Sequence, residues 1–154
     1  MKTLMVINPM SGLKNSKSNL MDVLNLFCQK KYEINVYVTQ DSGDAYRYVL
    51  NNTIEYDVIC VFGGDGTLNE VTNALMKLEH KPAIGYYPSG TMNDFGSNFN
   101  LKGFTRITNR ILENNPKQFD VGLCNDTYFN YVAAFGAFCD VPYTTKRDHK
   151  AVLG

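Results

Sequence analysis

Asp57-Val58-Ile59-Cys60-Val61-Phe62-Gly63-Gly64-Asp65-Gly66-Thr67-Leu68-Asn69-Glu70-Val71 decides how this chain is read. Val58 to Phe62 is an unbroken apolar run of strand length, so 57–62 is predicted as a buried strand and 67–77 as the helix after it. Between them, three glycines in four positions permit backbone angles that a Cβ would forbid, so main-chain N–H groups can close on a bound oxyanion. The helix aims its free N–H groups and positive dipole end at the same place. Asp65 stands inside the glycine loop, where a bare carboxylate repels a polyphosphate unless it holds a metal, orients a loop or accepts a proton. A plain strand-to-helix turn needs fewer glycines. The spacing is not G-x-G-x-x-G. The nearest approach to a Walker loop, Gly12-Leu13-Lys14-Asn15-Ser16-Lys17-Ser18, lacks its second glycine.

Outward from this stretch, strands and helices alternate. Residues 3–7 are predicted as a buried strand, 8–12 as a turn and 18–31 as a helix, with Leu20, Val23, Leu24, Phe27 and Cys28 on one stripe. A strand over 33–39, a short helix over 43–51, a strand over 82–87, a helical turn over 91–99 and a helix over 104–113 complete the pattern. This grammar predicts an α/β fold, a mainly parallel sheet flanked by helices, with ligands at the carboxyl ends of the strands. From Gln118 the pattern changes. Runs over 119–124 and 128–138, joined by Asn125-Asp126, read as a hairpin. The expected organisation is a nucleotide-binding α/β domain over 1–118 and the first strands of an incomplete β-rich domain over 119–154.

Composition narrows the partners. The 154 residues carry 15 basic and 15 acidic side chains, with no long basic run, which argues against nucleic acid. The four cysteines, Cys28, Cys60, Cys124 and Cys139, never form C-x-x-C; buried free thiols in a reducing cytosol are expected. No apolar stretch approaches the ~20 residues that span a bilayer, so membrane contact is expected to be peripheral. His80 and His149 read as surface residues, and the basic run 146–150 as a solvated face.

Three polar, glycine-bearing turns follow the first, third and fourth parallel strands: Asn8-Pro9-Met10-Ser11-Gly12, the glycine string, and Pro88-Ser89-Gly90-Thr91-Met92-Asn93-Asp94-Phe95. Proline fixes the first turn, Asn8 and Ser11 offer hydrogen bonds, and Ser89 and Thr91 offer hydroxyls to phosphate. Each turn alone is ordinary. Together they define one edge of one sheet.

In this order the three segments resemble the diacylglycerol kinase catalytic domain family, which includes soluble bacterial diacylglycerol kinases and sphingosine kinase-like lipid kinases. Phe119-Asp120-Val121-Gly122 and Tyr128-Phe129-Asn130 resemble that family's crossing into its second domain. The resemblance implies a transferase using ATP and Mg²⁺ to phosphorylate a lipid hydroxyl, working in phospholipid metabolism from the cytoplasm at a membrane surface. It implies nucleotide contacts from Asn8, Pro9, Met10, Ser11 and Gly12, and from Thr39 at the end of the second strand. Gly63, Gly64, Asp65, Gly66, Thr67, Leu68, Asn69 and Glu70 would wrap the phosphates, joined by Gly90 and Thr91. Asp65, Asp94 and Asp120 match an acidic trio that organises Mg²⁺, and Asp65 is the one candidate base present. Leu13 and Ser97 stand where many members carry lysine and arginine. Two other readings remain: an NAD kinase-like enzyme, and a nucleotide-binding fragment without activity. Under the lipid kinase reading the chain alone is expected to be inactive, with Phe129, Tyr131, Phe135 and Phe138 unusually exposed, and to self-associate through residues after Phe119 or leave them poorly ordered.

Overall fold

The computed structural model of the chain describes residues 1–12, 17–52 and 55–133. Four strands, β1 (Lys2–Ile7), β2 (Glu33–Val38), β3 (Val58–Gly63) and β4 (Ala83–Pro88), form one sheet in the order β2-β1-β3-β4. All three pairings are parallel, with Val6 opposite both Tyr37 and Val61, and Gly63 opposite Pro88. The helices are α1 (Lys17–Gln29), α2 (Asp44–Asn52), α3 (Asp65–Leu75), α4 (Asp94–Asn98) and α5 (Phe104–Leu112). A separate antiparallel pair, β5 (Gly122–Cys124) and β6 (Thr127–Phe129), follows. The expected α/β architecture with a mainly parallel sheet is therefore the observed one.

Strand alternation divides the core in two. Leu4, Val6, Ile59, Val61 and Tyr86 pack with Ala45 and Val49 of α2 and Leu68, Val71, Ala74 and Leu75 of α3. Met5, Ile7, Cys60, Phe62 and Tyr87 pack on the opposite face with Val23 and Phe27 of α1 and Phe104 and Ile107 of α5. There Phe62 and Tyr87 stack with ring centres 4.2 Å apart, and Phe104 meets both edge-on. Truncating a ring of this kind to alanine costs about 3–5 kcal/mol. Gly85 lets α5 lie close on β4, since a Cβ there would run into Ile111. The strands on either side of β1 leave it in opposite directions, so the carboxyl ends of β1 and β3 form the topological switch point where ligands sit in such sheets.

Several expected boundaries move. Helix α3 begins at Asp65, two residues before the expected Thr67, because Gly64 is extended at φ −86°, ψ −175° and the Asp65 side chain finds partners outside the helix. The hairpin exists but is shorter than read: β5 begins at Gly122 and β6 ends at Phe129. Asn125 and Asp126 both adopt positive φ, the conformation of a type I′ turn. Phe129 is half-buried over Gly122, where the sequence suggested exposure, while Leu123 and Tyr131 are 58% and 53% exposed. Phe135 and Phe138 lie outside the described residues, as do Cys139, His149 and Leu13. Cys28, Cys60 and Cys124 are free thiols as expected, but only Cys60 is buried; the other two lie on outward faces of their elements. Among the described residues, no helix is long and apolar enough to cross a membrane.

Candidate active site

The three turns converge at the carboxyl edge, and hydrogen bonds lock them together. Asn8 donates its backbone N–H to the Phe62 carbonyl at 2.8 Å, extending the β1–β3 ladder by one rung. Its Oδ1 accepts from Met10 N–H at 3.0 Å, and its Nδ2 donates to Thr67 Oγ1 at 2.9 Å. Asn8 thus closes its own turn and anchors the first turn of α3 with one amide. Ser11 Oγ donates to the Asn8 carbonyl at 2.7 Å and lies 2.9 Å from Ser89 Oγ, joining the first turn to the one after β4. Gly12 sits at φ +59°, and a Cβ there would stand 2.7 Å from the Ser89 carbonyl oxygen. Thr39 is buried at the end of β2, with its N–H 2.9 Å from the Ile7 carbonyl.

The glycine string works by close approach. None of Gly63, Gly64 or Gly66 has positive φ, contrary to the sequence expectation. A Cβ on Gly63 would stand 2.6 Å from Thr67 Cβ, one on Gly64 3.3 Å from Gly90 Cα, and one on Gly90 2.6 Å from Gly64 Cα. The second and third turns therefore touch backbone to backbone. Gly66 has no atom within 4 Å of a would-be Cβ, so open space lies over the first turn of α3. Gly64 as N-cap supplies no side-chain acceptor, so the first N–H groups of α3 remain available at its positive end.

Asp65 faces the third turn. Its Oδ2 accepts the Asp94 N–H at 2.9 Å, and its Oδ1 accepts the Phe95 N–H at 3.3 Å and the Tyr86 hydroxyl at 3.4 Å. It does what an N-cap does, from another element: α4 has Asn93 at its start in the left-handed region (φ 54°), with no side-chain cap of its own. Asn93 instead brackets Gly90, accepting its N–H at 2.8 Å and donating to its carbonyl at 2.6 Å. Burial first, and then the negative Asp65 beside it, push the Tyr86 hydroxyl well above the ordinary tyrosine range, which keeps it a neutral donor.

Not every expected contact faces this space. Leu68 is 2% exposed in the core, so only its backbone is at hand. Glu70 Oε1 accepts the Gly43 N–H at 2.9 Å, tying α3 to the start of α2. Asn69 Oδ1 accepts from Asn130 Nδ2 at 3.4 Å. Thr91 and Met10 are exposed at the rim, beside Pro9. Asp94 and Asp120 are exposed, and among the described residues no three His, Cys, Asp or Glu side chains gather at metal-holding spacing. Asn93 and Tyr86 hold the site together, yet the sequence reading gave neither a role: Asn93 stood only as part of the third turn and Tyr86 only within a strand. The position of Asn93 between a glycine and a helix start was the available signal for one; Tyr86 carried none beyond its strand.

A parallel α/β sheet with three interlocked glycine turns along the carboxyl edge beside its switch point is an open doubly wound sheet of the kind that carries ligands at that edge. Comparison with known proteins is more specific. The diacylglycerol kinase catalytic domain family matches residues 2–124, and the chain belongs to that family. The diacylglycerol kinase of Staphylococcus saprophyticus is 35% identical over 151 residues, covering 97% of this chain and 50% of that protein. The Staphylococcus aureus bovine strain RF122 diacylglycerol kinase is likewise 35% identical, with 48% of it covered. A crystal structure of a Bacillus anthracis diacylglycerol kinase superposes with a TM-score of 0.74 at 31% identity, covering 83% of this chain and 45% of that one. The chain spans about half the length of the relatives it matches.

Proposed function

We propose that this chain carries the nucleotide site of an ATP-dependent lipid kinase that transfers the γ-phosphoryl group of ATP to a diacylglycerol-like hydroxyl, organised as a nucleotide-binding domain over 1–118 and a second β-rich domain entered at 119. The observation that carries the reading is the Gly64–Gly90 backbone contact, which holds the free N-terminal turn of α3 beside the Ser11–Ser89 hydroxyl pair. Phosphoryl transfer asks a protein chiefly to position phosphates and offset their charge. Here the N–H groups of Asp65, Gly66 and Thr67 receive phosphate oxygens, and the Ser89 and Thr91 hydroxyls donate from the third turn, while Ser11 spends its one proton on the Asn8 carbonyl and braces the first turn. Asn8, Pro9, Met10 and Gly12 shape the wall on the β1 side, with Thr39 behind them. Family membership supports this reading over that of an NAD kinase.

Magnesium fits the residues present, because it takes one or two carboxylates and leaves its other positions to water and phosphate. The Asp65 carboxylate has acceptor capacity beyond its three hydrogen bonds, and the exposed Asp94 carboxylate is the next residue along the bonded segment. Asp65 and Asp94 would hold the ion, directly or through water, while Asp120 stands exposed at the entry to the hairpin and does not cluster with them; when bound, the ion offsets phosphate charge. Asp65 keeps α4 and the third turn in place, and its one remaining acceptor site is open either to the ion or to the proton of the lipid hydroxyl. The chain works in the cytoplasm, with the lipid reached by peripheral contact with a membrane. The test is transfer of radiolabelled γ-phosphate from ATP to diacylglycerol in mixed micelles, alongside Mg-ATP calorimetry. Label in the lipid supports the kinase reading. Binding without transfer favours a nucleotide-binding chain, and the absence of both contradicts the proposal.

A further inference from the structure

Asn73 lies a little over two turns beyond Asp65 on α3, about 12 Å along the helix axis, and takes no part in the phosphate seat. Its side-chain amide is nonetheless engaged at both donors and at the acceptor oxygen. Nδ2 donates to the Asn69 carbonyl at 2.9 Å and to the Tyr128 carbonyl at 2.8 Å, and Oδ1 accepts the Tyr128 N–H at 2.8 Å. The amide's orientation follows from this network, since turning it over would set oxygen against two carbonyls. Tyr128 pairs with Leu123 in the β5–β6 ladder and has both of its backbone groups turned outward to Asn73. The primary amide of Asn73 presents the donor and acceptor of a peptide group, and so replaces a third strand on the free edge of β6. Among the described residues, every hydrogen bond between the hairpin and the α/β layer runs through Asn73 or Asn69.

We propose that Asn73 is a positioning residue, a side-chain latch that registers the β5–β6 hairpin on the helix whose first turn carries Asp65. Asp120 enters the hairpin and Asn130 leaves it, so the latch sets where both stand relative to the phosphate seat. The catalytic meaning of that register rests on the phosphoryl-transfer reading; the latch itself does not. Aspartate at this position keeps an acceptor for the Tyr128 N–H but loses the donor, and sets a carboxylate oxygen against the Tyr128 and Asn69 carbonyls. When protonated it regains one donor and one acceptor. Alanine regains neither at any pH.

The test is amide hydrogen exchange of the 154-residue chain by NMR, comparing Asn73→Asp and Asn73→Ala with the unmodified protein. At neutral pH both variants should lose at least about tenfold of the Tyr128 amide protection, with the Val71 and Ala74 amides of α3 unchanged. Below the carboxyl pKa the aspartate variant should recover that protection, and the Asp120 and Asn130 amide resonances should return with it, while alanine should not. In the unmodified chain the Asn73 side-chain amide protons should exchange at least about tenfold more slowly than those of exposed Asn51, a readout that needs no variant. Protection of Tyr128 within about twofold in both variants, or Asn73 side-chain protons exchanging as fast as those of Asn51, would overturn the latch. Calorimetry keeps the two proposals apart: an unmodified chain that fails to bind Mg-ATP counts against the kinase reading and leaves the exchange result to decide the latch.

Discussion

By shape alone, asparagine in place of Asp65 would leave folding nearly unaffected, since the amide is isosteric and loses only the charge. Its contacts say otherwise. Two carboxylate oxygens accept from Asp94, Phe95 and Tyr86, and an amide can accept at only one. Asp65→Asn should therefore turn an N–H donor toward another donor, cost about 1–3 kcal/mol, and loosen α4 before any effect on turnover is considered. Chemical denaturation would read the loss, and amide exchange at Asp94 and Phe95 would locate it; unchanged protection there would refute the capping role. The glycines separate in the same way. Gly64→Ala should weaken Mg-ATP binding and destabilise the fold, because the new Cβ meets Gly90 at 3.3 Å. Gly66→Ala meets nothing and adds helix propensity of up to about 1 kcal/mol, so it should melt no lower than the parent while still weakening Mg-ATP. Thermal melts with calorimetry check the pair. That these glycines matter was legible in their number. That they serve close approach was not, because the atoms they approach, Thr67 and Gly90, are placed by the fold.

At the scale of elements, apolar pattern was enough to find all four parallel strands and the long helices, because β1 and β3 are apolar runs buried on both faces and each long helix buries one stripe on the sheet. Boundaries set by distant partners were not legible. The start of α3 depends on Asp65 reaching α4, and the reach of the hairpin depends on Asn73. The start of α2 shows such a device with a measurable consequence. Asp44 accepts the Gln40 N–H at 2.8 Å and the Tyr37 hydroxyl at 2.9 Å, with Arg47 beside it, and these hold its carboxyl below the ordinary carboxylate value, the Gln40 bond most of all. A carboxyl lowered in the folded state binds fewer protons there than in the unfolded chain. Its contribution is therefore complete above the ordinary pKa near 3.8 and is lost as pH falls through the depressed folded value. Melting temperature should drop across that acidic window, and Asp44→Asn should flatten that part of the drop. Equal pH dependence in parent and variant would refute the assignment.

For the molecule as a whole, the order β2-β1-β3-β4 leaves β4 as an open sheet edge, and Phe119, Leu123, Tyr131 and Val132 are each more than half exposed beyond it. Exposed apolar surface and open strand edges invite pairing. Sedimentation of this chain should give an average mass that rises with concentration, reduced by Leu123→Glu; a monomer mass throughout would contradict self-association. The half of the candidate site built by the three turns was legible because those turns carry their own glycines and hydroxyls. The supports of that site, Asn93, Tyr86 and Asn73, were silent, since an amide or phenol declares its role only when its partner is known. The central claim is that phosphates sit on the first turn of α3 where the three turns meet. Titrating Mg-ATP into the isotopically labelled chain and following backbone amides tests it most directly. The largest shifts should fall on Gly64, Asp65, Gly66 and Thr67, with Ser11, Gly12, Ser89 and Gly90 next, and the amino-terminal ends of the four strands unmoved. Saturable shifts centred elsewhere, or none at all with the fold intact, would contradict it.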